Sequence, residues 1–249
     1  MLVAPPGAPD TVTVMPRGRL ITVEGLDGSG KTTLAVGLAE ALRSRGLEVE
    51  LLREPGGVEA AERIRQVLAD PALRIGARAE AMLYAAARAQ LVEESLEPRL
   101  AAGIWVVLDR FVDSSLAYQG AGRGLGMEEV ADINRFATRG LIPDRTIVLT
   151  VPPEVARTRT RARSPSLDRL EQEHDDFFLR VAEAYDRLVE ADPKRIRALD
   201  AVEPPDRVVK AALEQLADLL PSGVACDLKT PVEQGSGGPG GQSWGGKIR

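Results

Sequence analysis

Between Leu20 and Leu42 the chain passes from an apolar stretch, Leu20 to Val23, through Gly25-Leu26-Asp27-Gly28-Ser29-Gly30-Lys31-Thr32 into a helical pattern carrying Leu34, Leu38 and Leu42. The middle segment fits G-x-x-x-x-G-K-[ST], a phosphate loop, and its flanks place it where a strand hands over to a helix. Glycines let successive backbone N–H groups curl inward around phosphate oxygens. The helix N-terminus that follows also favours an anion. Lys31 is spaced to reach the β- and γ-phosphates, and the Thr32 hydroxyl to take a place on Mg²⁺. Gly25, Gly28, Ser29, Gly30, Lys31, Thr32 and Thr33 are therefore the candidates for a triphosphate site. A glycine-rich turn without a ligand is the alternative.

The remainder supports one parallel α/β domain. Short apolar runs at 20–24, 49–52, 104–108, 146–151 and 195–199 alternate with helical patterns at 32–44, 60–68, 78–101, 127–138, 153–163, 170–191 and 205–219. Along 78–101 the residues Met82, Ala85, Ala89, Val92 and Leu96 form a stripe expected to face the core. Residues 1–17, with four prolines, read as a flexible leader, and 222–249, rich in glycine, as a disordered tail. No repeat or second domain is visible between them, so the folded unit is expected at 18–221.

Composition narrows the function. Net charge is −5, from 32 basic and 37 acidic residues, which argues against a general nucleic-acid binder. Cys226 and His174 are each the only residue of their type, so intrachain disulfides, thiolate clusters and histidine-rich zinc sites are excluded. No stretch has the length or apolarity of a membrane span or secretory signal. The expected location is the cytoplasm. His174 falls on or near a stripe of Leu170, Phe177, Val181, Tyr185 and Leu188, which makes it a structural or surface residue with no catalytic part.

Three further segments place charge where strands end, the edge at which parallel sheets bind ligands. Arg53-Glu54-Pro55-Gly56-Gly57 follows the second strand; a solvated polar turn is its plainer interpretation. Asp109-Arg110-Phe111 closes the third. There an aspartate can hold a metal-bound water and an arginine can clamp a phosphate through parallel hydrogen bonds, or the pair can simply cap the next helix. Ser114, Ser115, Tyr118 and Gln119 follow at spacings that could line a pocket. Arg157, Arg159, Arg161 and Arg163, then Asp168-Arg169, form a dense basic run after the fourth strand. A polyanion would relieve its repulsion, although a solvated basic face is also possible.

Taken together, GLDGSGKTT (25–33), REPGG (53–57), DRFVDSSLAYQ (109–119) and RTRTRARSPSLDRLEQE (157–173) resemble the thymidylate kinase family over roughly residues 18–220. The resemblance implies a P-loop nucleoside monophosphate kinase fold, with a central five-stranded parallel sheet flanked by helices. It implies transfer of phosphate from ATP to dTMP, giving dTDP for dTTP synthesis, with Mg²⁺ and as a homodimer. On the donor side it assigns ATP to the phosphate loop with Lys31 and Thr32; Thr32 and Asp109 are the metal candidates. On the acceptor side Arg53 and Arg110 resemble the dTMP phosphate clamp, and Glu54 lies near the sugar. Tyr84 matches the ring that stacks on thymine, and Arg88 the arginine that reads a thymine carbonyl. Ser115, Tyr118 and Gln119 align with positions near base and sugar. Asp27 matches an acidic residue that approaches the acceptor phosphate or its metal.

The basic run resembles the lid (about 154–169) of the bacterial type, in which the lid supplies the catalytic arginine. Ser29 agrees with this, since the other type carries arginine in the loop. Arg161 is the first candidate and Arg157 the second. Two departures stand out: Val58 where threonine commonly follows REPGG, and Ala87 where aspartate is frequent.

Overall fold

The computed structural model describes residues 16–163 and 169–221. The tail, most of the leader, and lid residues 164–168 lie outside that range. Five parallel strands form one sheet: β1 (Leu20–Gly25), β2 (Val49–Arg53), β3 (Trp105–Asp109), β4 (Arg145–Thr150) and β5 (Ile196–Asp200), in the order β2-β3-β1-β4-β5. All six residues of β1 are buried, as expected for the central strand of a sheet covered on both faces.

Alternation along β1 assigns its two faces. Ile21 and Val23 pack with Leu34, Leu38 and Leu42 of α1 (Lys31–Arg43) and with Val208 and Leu213 of α9 (Pro205–Glu214). Leu20 points the other way, into a core with Val106, Leu108, Leu91 and Leu96. A third cluster joins Val148 and Ile196 to Phe177, Val181 and Leu188 of α8 (Asp175–Ala191). Registers bring the functional ends together: Arg53 pairs with Asp109, and Asp109 with Val23. Arg17, at the end of the expected leader, donates to Asp144 at 3.3 Å.

Between strands, α2 (Glu59–Ala69) precedes a long helical stretch made of α3 (Ala77–Leu91), a π-helical turn (Val92–Leu96) and α4 (Glu97–Ala101). The stripe expected along it is shifted. Met82 is 63% exposed and Ala89 only half-buried, whereas Ala81, Ala85, Arg88, Val92 and Leu96 are buried. The inner face thus lies one residue round from the one expected, and the wider π turn changes its phase. The segment 112–122, outside the bounded helical patterns but where the Asp109-Arg110 pair could cap a helix, forms α5 (Val112–Ser115) and a second π-helical turn (Leu116–Gly122). Its apolar residues are interleaved with polar ones that serve the site, which hides the periodicity. After α6 (Met127–Ala137) and α7 (Pro153–Arg163), α8 starts at Asp175 instead of Leu170. Residues 169–172 are turns, and acidic Asp175 and Asp176 suit the helix N-terminus. His174 is therefore an exposed N-cap residue and not part of the apolar stripe.

Candidate active site

The phosphate loop bends through left-handed glycines, with φ of +82° at Gly28 and +98° at Gly30. Gly28 is needed for space as well: a Cβ there would lie 2.1 Å from the Ala156 carbonyl oxygen of α7. Gly30 is the N-cap of α1 and offers no side chain, leaving the first helical N–H groups to an anion. Ser29 is buried with its hydroxyl unpartnered among the described residues, and Thr33 is exposed. Lys31 is buried and donates from Nζ to the Leu26 carbonyl at 2.8 Å, with Asp27 3.9 Å away. Burial, aided by the Arg110 charge, lowers its pKa to about 8. Thr32 Oγ1 donates to Asp109 Oδ2 at 2.7 Å, joining the two metal candidates.

Arg110 sits on the far side of Asp27. Its backbone is left-handed (φ +72°), which turns the guanidinium back over the end of β1. It donates to Asp27 Oδ1 at 2.6 Å, Gly25 O at 3.1 Å and Ser114 Oγ at 2.9 Å. Tyr118 donates to Asp27 Oδ2 at 3.1 Å. Burial raises the Asp27 pKa, but Arg110 and then Lys31 outweigh it and hold the carboxyl well below the usual range.

Beyond Arg110 lies a cavity lined by Glu54, Tyr84, Arg88, Ser115, Tyr118 and Gln119, among others. It brings together every expected acceptor-side residue except Arg53. Arg88 is 1% exposed and donates to Glu54 Oε2 (2.7 Å), Ser115 Oγ (2.9 Å), the Phe111 carbonyl (2.9 Å) and Asn134. Guanidinium has five N–H groups, and these bonds account for four of them. Glu54 is buried with Oε1 unpartnered among the described residues, and burial raises its pKa to about 7 against the opposing Arg88 charge. Arg53 turns away: its side chain is 59% exposed and faces Glu62 at 3.3 Å.

The helix α7, where the lid is expected, lines a second cavity with residues that include Arg157, Arg161, His174 and Asp175. Asp27 lines both cavities, so it stands where they meet. Arg157 pairs with Asp175, Arg159 donates to Ala201 O at 3.1 Å, and Arg161 is exposed. The Arg163 side chain lies outside the described residues.

Several residues that shape the site carried no signal of their own. Glu24, 0% exposed, accepts from Phe111 N, Ser114 and Tyr185. Glu80, equally buried, accepts from Gln119, Arg123 and Arg169. Arg65 lines the acceptor cavity and donates to Pro55 O. Partners so distant in sequence cannot be recognised by spacing.

Among the described residues no three acidic, histidine or cysteine side chains gather as a metal cage. The touching hydroxyl and carboxylate of Thr32 and Asp109 nevertheless suit Mg²⁺, a hard cation that takes few protein oxygens and relies on phosphate and water for the rest.

Residues 23–212 match the thymidylate kinase family. The chain is 46% identical to the thymidylate kinase of Rhizorhabdus wittichii over 206 residues, covering 82% of this chain and 99% of that one. It is 47% identical to the thymidylate kinase of Latilactobacillus sakei over 203 residues, covering 80% and 95%. A crystal structure of thymidylate kinase from Ehrlichia chaffeensis matches with a TM-score of 0.67 at 27% identity, over 81% of this chain and 99% of that chain.

Proposed function

The chain belongs to the thymidylate kinase family, and on that premise we propose how its residues divide the work of phosphoryl transfer. The reaction is the phosphorylation of dTMP to dTDP with ATP as donor. Supporting this division is the meeting of two cavities at Asp27, with Lys31 and Arg110 on either side. Transfer needs placement and positive charge more than covalent help. A phosphate oxygen of dTMP attacks the γ-phosphorus directly and in line as the bond to the β-phosphate oxygen breaks. No general base is required, because a phosphate monoester is largely dianionic near neutral pH.

On the donor side, the loop N–H groups and Lys31 hold the triphosphate. Thr32 and Asp109 would hold Mg²⁺, which supplies charge neutralisation on the phosphates when bound. On the acceptor side, Arg110 grips the dTMP phosphate, and Arg53 joins it by leaving Glu62. Tyr84 stacks on thymine, and the remaining N–H of Arg88 donates to a base carbonyl. Ser115, Tyr118 and Gln119 complete the wall, with Glu54 and Asp27 near sugar and acceptor phosphate. Arg161, free of ion pairs among the described residues, is the first candidate for the lid arginine that meets the transferring group, and Arg157 the second.

The protein acts as a homodimer in the cytoplasm. Met82 on α3, Phe136 on α6 and Ile142 are the most exposed of the large apolar residues among the described ones, and α3 packs against α6. Among the described residues no helix is long and apolar enough to cross a membrane.

Product analysis with chirally labelled γ-phosphate tests direct transfer: one displacement inverts phosphorus, two restore it. Inversion is expected, with dTDP absent when Lys31→Ala replaces the wild type. Retention, or full turnover by folded Lys31→Ala, contradicts the assignment.

A further inference from the structure

The one charged residue of β1 takes no part in the division of work proposed above. Glu24 alternates with Val23 and so points to the face opposite α1, where it is completely buried. A carboxylate there is costly to desolvate unless its oxygens are satisfied. No ion pair holds it among the described residues; three donors do. Phe111 N donates to Oε1 at 2.7 Å, while the Ser114 and Tyr185 hydroxyls reach Oε2 at 2.5 and 3.1 Å.

Two of those donors flank Arg110. A non-glycine residue in the left-handed region is strained, so its neighbours must hold it. Arg110 N donates to Val23 O at 3.0 Å, and the next N–H, that of Phe111, goes to Glu24. The Ser114 hydroxyl, donating to Glu24, also accepts from Arg110 Nη1 at 2.9 Å. Backbone and guanidinium of Arg110 are thus both tied to one buried carboxylate. Tyr185 adds a link from α8, the helix that follows the lid.

We propose that Glu24 is a positioning residue for phosphoryl transfer, holding the Arg110 turn and guanidinium against Asp27 while touching neither substrate. This rests on Arg110 as the acceptor-phosphate arginine.

The test compares Glu24→Ala, Glu24→Gln and Ser114→Ala, alone and combined with Arg110→Ala, using ATP and dTMP kinetics and circular dichroism of each variant. A misplacement near 1 Å can cost about 10²-fold. Glu24→Ala is expected to lower kcat/KM for dTMP by roughly that factor while KM for ATP stays within about twofold. Glu24→Gln should recover much of the loss, because its amide oxygen still accepts from Phe111 N and its nitrogen can donate to Ser114 or Tyr185. In the Arg110→Ala background Glu24→Ala should cost almost nothing further, since both act through the same group.

If Glu24→Ala does not fold, Ser114→Ala decides. It cuts the bridge to the guanidinium but leaves the bond to Phe111 N, so a smaller loss in the same dTMP parameters is expected. A folded variant with wild-type kcat/KM for dTMP overturns the proposal, as does an equal cost with and without Arg110. Failure of the wild type itself to phosphorylate dTMP would instead overturn the acceptor assignment on which the proposal depends.

Discussion

Glu54 and Arg88 meet at 2.7 Å in a place almost closed to water, and the pair shows how burial competes with charge. Burial raises the Glu54 pKa from 4.5 to about 7 although Arg88 pulls it down. Between those values the folded protein keeps a proton that the unfolded chain releases. Its contribution to stability is therefore full below about 4.5 and is lost as pH rises through about 7. Urea midpoints of wild type should fall across that window, and Glu54→Gln should flatten the slope. Glu24, raised to about 7 mainly by burial, keeps part of it. An unchanged slope in Glu54→Gln would rule out the protonation of Glu54. Arg161 tests a different quantity. A contact made only in the transition state lowers kcat and kcat/KM together. Arg161→Ala should cost roughly 10²-fold in kcat, the scale of one lost charge-stabilising donor. A change confined to KM for ATP would move the catalytic role to Arg157.

At the scale of elements, a single carboxylate joins three of them. Glu80 of α3 accepts from Gln119 at 2.9 Å, Arg123 at 3.0 Å and Arg169 at 2.6 Å; Arg169 also donates to Leu68 O. Removing one partner from a buried ionic group leaves charge uncompensated, typically at 3–5 kcal/mol. Glu80→Ala should lose about that much in chemical denaturation; a loss below about 1 kcal/mol would show that the arginines find solvent instead. None of this was legible beforehand, because Glu80 lies 39 residues from Gln119 and 89 from Arg169. The strands were legible to within a residue, since buried parallel strands read as continuous apolar runs. The phosphate loop was legible because its spacing is its geometry. Arg53 was visible as a charge at a strand end, but no spacing tells that its side chain faces Glu62. Met82 misled for a related reason: in an alanine-rich helix a large apolar residue marks a face, though not which body covers it.

Across the whole molecule, the most exposed apolar side chains offer a surface for a second copy. Phe136 is 89% exposed, Ile142 65% and Met82 63%, an unusual display for side chains that gain about 1.5–3 kcal/mol when fully buried. A homodimer seated there should sediment as a dimer at micromolar concentration, and Phe136→Glu should shift it toward monomer without unfolding it. A wild type that sediments as a monomer would refute this face as an interface.

The account as a whole rests on the acceptor cavity being built for one nucleotide. Tyr84, Arg88 and Arg110 all line it, and the proposed division of work gives them the base ring, a base carbonyl and the phosphate in turn. Cytosine presents an amino group where thymine presents a carbonyl, and thymidine has no phosphate to grip. The most direct measurement is kcat/KM for dTMP, dUMP, dCMP and thymidine in one coupled assay with ATP and Mg²⁺. The account predicts that dTMP exceeds dCMP by at least about tenfold, the scale of one base-edge donor, with no turnover of thymidine. Equal or faster phosphorylation of dCMP or thymidine would contradict it.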